Sequence, residues 1–406
     1  MKNRPLSMPP VIDTSQPTCA NLLVGEQMSS LRRQWWFACY LLFIPWLHNA
    51  VCWWQFCIPQ PWALITLLPG LAVAIHLLHH LRSHLNHNHP PAEVDFLFPT
   101  LGAANWITLL RGSGVVTLAG LLPFAIPTMG ELQGLEAWAP GVLYLLIALA
   151  DLLDGYLARK SGRVTELGRS LDMTTDAAGL LTASLLAIAQ NRLPLPYLLV
   201  GVAFYPFTLG LRFRQRRSLP VAALTYRPYS RFMAGFHMAL VGVALLPLID
   251  SSYLTIAAYL AMIPFLVGFL RDWLVVSCRL KTDALQQTAW DQPVANFWTE
   301  RLPLFCRLSL LCTMLLLLAG QRFPHHFDCW QILASLGAAL AVVGVLGRFS
   351  ALLLALIIAL ELLPAITPLQ GHWLFAVSLT LALTGCGPYT LWSPEDAILS
   401  RQQHHN

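Results

Sequence analysis

Charge is what this chain has least of: Asp, Glu, Lys and Arg make up 11% of its 406 residues, where a soluble globular chain carries roughly 25%. That shortfall, beside the high apolar content, excludes disordered, collagen-like and strongly nucleic-acid-binding readings. The nine cysteines are scattered, odd in number and without a CxxC pair, so a disulfide framework is excluded and they read as small buried hydrophobes. No internal repeat is evident. A cleavable signal peptide is not expected either, because the first thirty residues are polar and proline-bearing and the first apolar run begins at Trp35.

What is abundant is apolar surface. Hydrophobic residues reach 56% and the mean hydropathy is +0.58, which describes an all-α, polytopic integral membrane protein. A spanning helix needs about 20 mostly apolar residues. Twelve stretches qualify: 34–55, 60–80, 103–126, 138–158, 170–190, 194–212, 231–249, 253–276, 304–321, 328–346, 349–366 and 370–388. With the N-terminus in the cytoplasm and each run crossing once, only Arg192 and Arg322 fall outside. The remaining basic loops fall inside, so the net charge of +5 reports topology, with an even number of spans and both termini cytoplasmic. Three blocks are expected. Residues 1–92 hold a polar tail and a two-helix hairpin, and 93–280 hold six helices opened by an interfacial segment from Glu93 to Pro99. A polar connection, 281–302, then leads to a four-helix block within 303–406.

Carboxylates inside a membrane span are costly and mark function by default. Asp151 and Asp154 close the fourth run at i, i+3, and Asp172 and Asp176 open the fifth at i, i+4, so each pair shares a helix face. A short polar turn, Lys160 to Leu167, makes the two helices antiparallel neighbours and brings the four carboxylates to one cytoplasmic-side cavity. Their mutual repulsion is best relieved by hard divalent cations, Mg2+ or Mn2+, which complete their shells with substrate phosphates. Arg159 and Arg169 suit such a ligand. Gly155 and Gly168 leave room for it or for the facing helix. The site reads as phosphate-transfer chemistry at the membrane face; an interhelical polar cluster or an ion pathway is the plainer alternative.

These residues resemble a family signature. Asp151, Asp154, Gly155, Ala158, Arg159, Gly168, Asp172 and Asp176 match D-x-x-D-G-x-x-A-R-x8-G-x-x-x-D-x-x-x-D of the CDP-alcohol phosphatidyltransferases at every spacing. Asn105, Ile107 and Thr108 with Arg111 are similar to the N-x-I-T…R start of that family's first core helix. The resemblance covers 93–280, the size of the family's six-helix core. It implies attack by an acceptor hydroxyl on a CDP-activated alcohol, commonly CDP-diacylglycerol, with release of CMP. Asp151, Asp154 and Asp172 would hold the metal, with Asp176 beside it as general base. Asn105, Thr108, Gly155, Ala158, Arg159, Thr165 and Gly168 would contact the CDP moiety. Arg111 stays open between this set and an anchor whose head reaches the interface.

The chain departs from members that take a charged acceptor through a Gly-Lys pair: the comparable stretch, Ser230 to Phe236, has no lysine. Arg212, Arg231 and Arg271 are then the candidate acceptor contacts, with topology anchors and anionic-lipid contacts as the alternative. The resemblance also implies a homodimer, and the absence of any organelle signal fits a bacterial inner membrane. CDP-choline or CDP-ethanolamine donating to diacylglycerol keeps the same chemistry, and a non-catalytic membrane carrier or assembly protein is the reading from another class. His76, His80, His84 and His87 fall near one helical face, as a His-rich helix end or a metal site. The last four helices resemble, more loosely, DoxX-like membrane proteins, through Gly344 to Arg348 and Thr384 to Tyr389 with Trp392.

Overall fold

The computed structural model describes residues 19–56, 67–92, 96–125, 134–222, 228–280, 297–320, 329–363, 366–387 and 390–392. Among these residues the chain is helical, and its one extended pairing is an isolated bridge between Val345 and Trp392. In chain order the α-helices are α1 (Cys19–Phe56), α2 (Leu68–Ser83), α3 (Gly102–Gly120), α4 (Ala139–Lys160), α5 (Glu166–Ala189), α6 (Leu198–Val202) and α7 (Phe204–Arg216). They continue with α8 (Pro228–Ala244), α9 (Ser251–Val276), α10 (Leu302–Gly320), α11 (Cys329–Val343), α12 (Gly347–Ala359) and α13 (Pro368–Thr384). The all-α membrane architecture expected from composition is what is found.

Among the described residues four helices are long and apolar enough to cross a bilayer: Gly25–Cys52, Glu136–Lys160, Glu166–Ala189 and Ser251–Val276. The bent pair Leu195–Val202 and Phe204–Arg216, 41° apart, adds a fifth if it is one span. Several of the twelve expected runs are shorter helices here, because turns cut them. Just past Leu360, Glu361 adopts a left-handed conformation at φ 54°, so α12 ends at Ala359 and has only 13 residues. That rise of roughly 20 Å falls short of the roughly 30 Å hydrocarbon layer. At the other end the reverse holds: α1 starts at Cys19, some fifteen residues before the expected run. Glu26, Gln27, Arg32 and Arg33 are good helix formers that a hydropathy reading passes over. The interfacial segment from Glu93 to Pro99 is described only from residue 96 onward, and the connection 281–302 only from 297.

The chain divides into two compact units. One holds Met1–Thr117 with Leu149–Asp176; the other holds Leu118–Ala148 with Ala177–Asn406. In the first, α1 lies along α2, and the core is leucine-rich: Leu31, Leu42, Leu77, Leu81, Leu109, Leu167 and Leu171 are fully buried or nearly so. Two tryptophans fasten the hairpin. Trp35 Nε1 donates to the Leu78 carbonyl (3.0 Å) and Trp46 Nε1 to that of Leu67 (3.0 Å).

In the second unit α13 packs against α12, α10 and α9. Ser252 Oγ lies 2.7 Å from His372 Nε2, and the Tyr253 and Phe375 rings meet edge to face at 5.2 Å. Asp250 caps α9 by accepting from the Ser252 amide at 2.8 Å. Thr367 and Gln370 form a capping box at the start of α13, with Pro368 as its first residue.

Candidate active site

The polar residues of α3 recur at intervals of three, Asn105, Thr108 and Arg111, and so share one side of the helix. On α4 Asp151 and Asp154 stand one turn apart, as Asp172 and Asp176 do on α5. The structure brings all four carboxylates to a single guanidinium. Arg111 Nη1 lies 2.6 Å from Asp154 Oδ2 and 2.7 Å from Asp172 Oδ1; Nη2 lies 2.9 Å from Asp151 Oδ1 and also meets Asp176 Oδ1. The Arg111 side chain is only 2% exposed. An interfacial anchor with its head in water is thereby ruled out for this residue.

The four acids are not alike. Asp154 is 6% exposed and also accepts from the Thr108 hydroxyl at 2.9 Å. Asp151, Asp172 and Asp176 are 32%, 38% and 26% exposed. Each of these three offers a carboxylate oxygen, and those oxygens lie within 4.8 Å of one another. An all-oxygen set at that spacing, carrying more negative charge than one arginine neutralises, fits a hard divalent ion such as Mg2+ or Mn2+. Among the described residues no group of three histidines or cysteines makes a comparable cluster.

The turn before α5 caps that helix and seats its start against α3. Thr165 is buried and caps α5, its hydroxyl accepting from the Gly168 amide at 3.0 Å. At Gly168 a Cβ would come within 2.6 Å of Asn105 Oδ1 and 3.1 Å of Thr165 Oγ1, so only glycine fits without displacing them. Asn105 is held from its other end, donating Nδ2 to the Leu101 carbonyl at 2.7 Å. At Gly155 a Cβ would lie 3.3 Å from Arg159 Nη1, so the exposed Arg159 head folds back along α4 over that glycine. Ala158 is half-buried beside it.

Several supporting residues carry no motif. The fully buried Asn88 donates to the carbonyls of Phe98 and Thr100, both at 3.0 Å. Arg163 donates to Thr100 Oγ1 at 3.0 Å and lies over the Phe98 ring at 4.6 Å. On α1, Gln34 accepts from the Leu101 amide at 2.9 Å and donates to the Pro99 carbonyl at 3.2 Å, fixing the entry to α3. His80 is buried, with Nε2 2.8 Å from Ser170 Oγ and 3.3 Å from Thr174 Oγ1, and ties α2 to α5. Its ring stacks on His84 at 4.2 Å. Of the candidate acceptor contacts, Arg212 and Arg271 are exposed and belong to the second unit. The Arg231 side chain lies outside the described residues.

Residues 101–265 match the family model described as CDP-alcohol phosphatidyltransferase. A similar curated protein is the CDP-diacylglycerol--glycerol-3-phosphate 3-phosphatidyltransferase of Treponema pallidum (strain Nichols), 42% identical over 53 residues, which are 13% of this chain. The chain spans about a quarter, 24%, of that relative's length. No solved structure matches the chain.

Proposed function

We propose that this chain, whose residues 101–265 belong to the CDP-alcohol phosphatidyltransferase family, moves a phosphatidyl group from CDP-diacylglycerol to a hydroxyl acceptor at the cytoplasmic face of a bacterial inner membrane. The observation that carries the reading is the gathering of Asp151, Asp154, Asp172 and Asp176 on one buried arginine, inside the segment that matches the family. In the balanced reaction the acceptor oxygen bonds to the phosphorus that bears the diacylglycerol. The bond from that phosphorus to the bridging oxygen breaks, CMP leaves, and the acceptor proton passes to a base. Glycerol 3-phosphate is the acceptor to test first, on the name of the Treponema relative.

Asp176 takes the base role. It is partly exposed, so an entering hydroxyl can reach it beside Asp151 and Asp172. Asp151, Asp172 and Asp176 would hold Mg2+ or Mn2+, with Asp154 behind them. Such an ion, when bound, supplies charge neutralisation at the diphosphate and acidifies a coordinated hydroxyl. The chain itself supplies position. The close approach at Gly168 lets Asn105, Thr165 and the start of α5 form one wall for CDP, and Gly155, Ala158 and Arg159 form the other. A preorganised wall converts the encounter of two substrates into a reaction within one complex. Arg212, Arg231 and Arg271 are the residues proposed to receive a phosphorylated acceptor.

The experiment is CMP release by the purified protein in lipid with Mn2+ or Mg2+. CDP-diacylglycerol is offered with a panel of alcohols, then CDP-choline or CDP-ethanolamine with diacylglycerol. Metal-dependent release that needs one acceptor is the expected result. Release only with the small CDP-alcohols would reverse the donor and acceptor roles, and none with any pair, although CDP-lipid binds, would favour a carrier.

A further inference from the structure

The four carboxylates divide into three that are open and one that is closed, and Arg111 holds both kinds. Its Nη1 is shared between the buried Asp154 and the more open Asp172, and its Nη2 between Asp151 and Asp176. Each open acid gives Arg111 an oxygen, and the three open acids are the group whose oxygens are close enough to share an ion. Arg111 and a cation therefore draw on the same carboxylates. Asp154 stands outside that group and has a second partner in Thr108. Arg111 is also under-served where it is deepest: Nε is buried and has no hydrogen-bond partner. A buried guanidinium with an unsatisfied donor carries a standing desolvation cost, which its crowded carboxylates offset.

We propose that Arg111 is an internal stand-in for the metal. Before the ion enters, it holds Asp151, Asp172 and Asp176 together; when the ion enters, it cedes these three and stays pinned to Asp154. This deepens the reading above and rests on it. Arg111 is then a positioning residue in competition with the cofactor, not a ligand or a substrate contact. The competition has a sign. Removing Arg111 takes away a cation from the ion's own ligands, so the affinity for the ion rises, while the metal-free protein loses the guanidinium that pairs with all four acids.

The test uses the full-length protein in lipid and reads binding, not turnover. Free Mn2+ is titrated and followed by electron paramagnetic resonance for wild type, Arg111→Met and Arg111→Lys. Arg111→Met is expected to bind Mn2+ about tenfold more tightly than wild type, a gain within the range by which one neighbouring charge moves a carboxylate equilibrium. Arg111→Lys, which keeps the charge, should stay near wild type. In chelator Arg111→Met should melt below wild type, and saturating Mn2+ should narrow the gap. A folded Arg111→Met with wild-type or weaker Mn2+ affinity would overturn the proposal and leave the metal reading standing. Absence of Mn2+ binding by wild type overturns both.

Should Arg111→Met not fold, a measurement on wild type decides. In protein labelled with 15N-arginine, with Arg111 assigned by its loss in Arg111→Lys, saturation with Mg2+ should move the Arg111 Nη signals as three of four partners leave. Unmoved signals in a protein that binds Mg2+ sink the idea.

Discussion

Arg111, buried in the first unit, and Arg192, half-buried in the second, both commit a guanidinium to contacts within the protein, and they use it in opposite ways. Arg192 lies between helices and donates to carbonyls: Nε to Ala244 at 3.1 Å, and Nη2 to Leu246 at 3.0 Å and Ile249 at 2.6 Å. These close the C-terminal end of α8, where the helix dipole favours a cation. The carbonyls are neutral, so one arginine completes the arrangement. Arg111 faces four acids and cannot balance them. The comparison separates charge that finishes a fold from charge left over for a ligand. On the proposed reading, only the second kind calls for an ion from outside the chain.

The largest expected effect tests the surplus side. Asp176→Asn should lower CMP release by at least about 100-fold, the lower end of what a positioned general base contributes, with the protein still folded; wild-type turnover in that variant would abolish the assigned role. Arg192→Gln tests the finished side. It should cost about 1.5–3 kcal/mol in thermal or denaturant unfolding, the scale of hydrogen bonds to a charged group, while Mn2+ affinity stays unchanged. A shift in metal binding on that change would collapse the distinction between the two arginines.

A smaller effect is expected at Gly168→Ala. The new methyl must push Asn105 aside, so stability should fall by about 1–3 kcal/mol and the KM for the CDP donor should rise. Unchanged KM would remove Asn105 from the proposed CDP wall. Smallest is Thr165→Ala, where loss of the helix cap should cost about 1 kcal/mol. An effect on turnover far beyond that loss would mean that Thr165 touches substrate as well as capping α5.

How much of this could be read from the sequence depends on distance along the chain. The four aspartates were legible because they lie on consecutive helices joined by a short turn, so helical spacing alone brings them together. Asn105 and Thr108 were legible as a pattern. Arg111 was legible as a residue and not as a hub, because its burial depends on α4 and α5 packing over it, which no periodicity in α3 encodes. Gln34 left no signal, and His80 was legible only as one of a histidine series and not as a tie to α5, since their partners stand 65 to 94 residues away. Hydropathy located the membrane-crossing character of α1 but not its start, because it measures transfer into lipid and not helix formation.

Gln34 grips the backbone on both sides of residue 100, accepting from one amide and donating to one carbonyl, much as a neighbouring β-strand would. That grip indexes α3. A helix held at its first turn cannot slide or screw along its axis, so the angular position of Arg111, about two and a half turns further on, is set at its entrance. One residue inserted between Leu101 and Arg111 would swing that side chain by about 100° and aim it away from every acid in the cluster. The α1–α2 hairpin, which carries no catalytic motif, is in this sense the ruler from which the centre is measured.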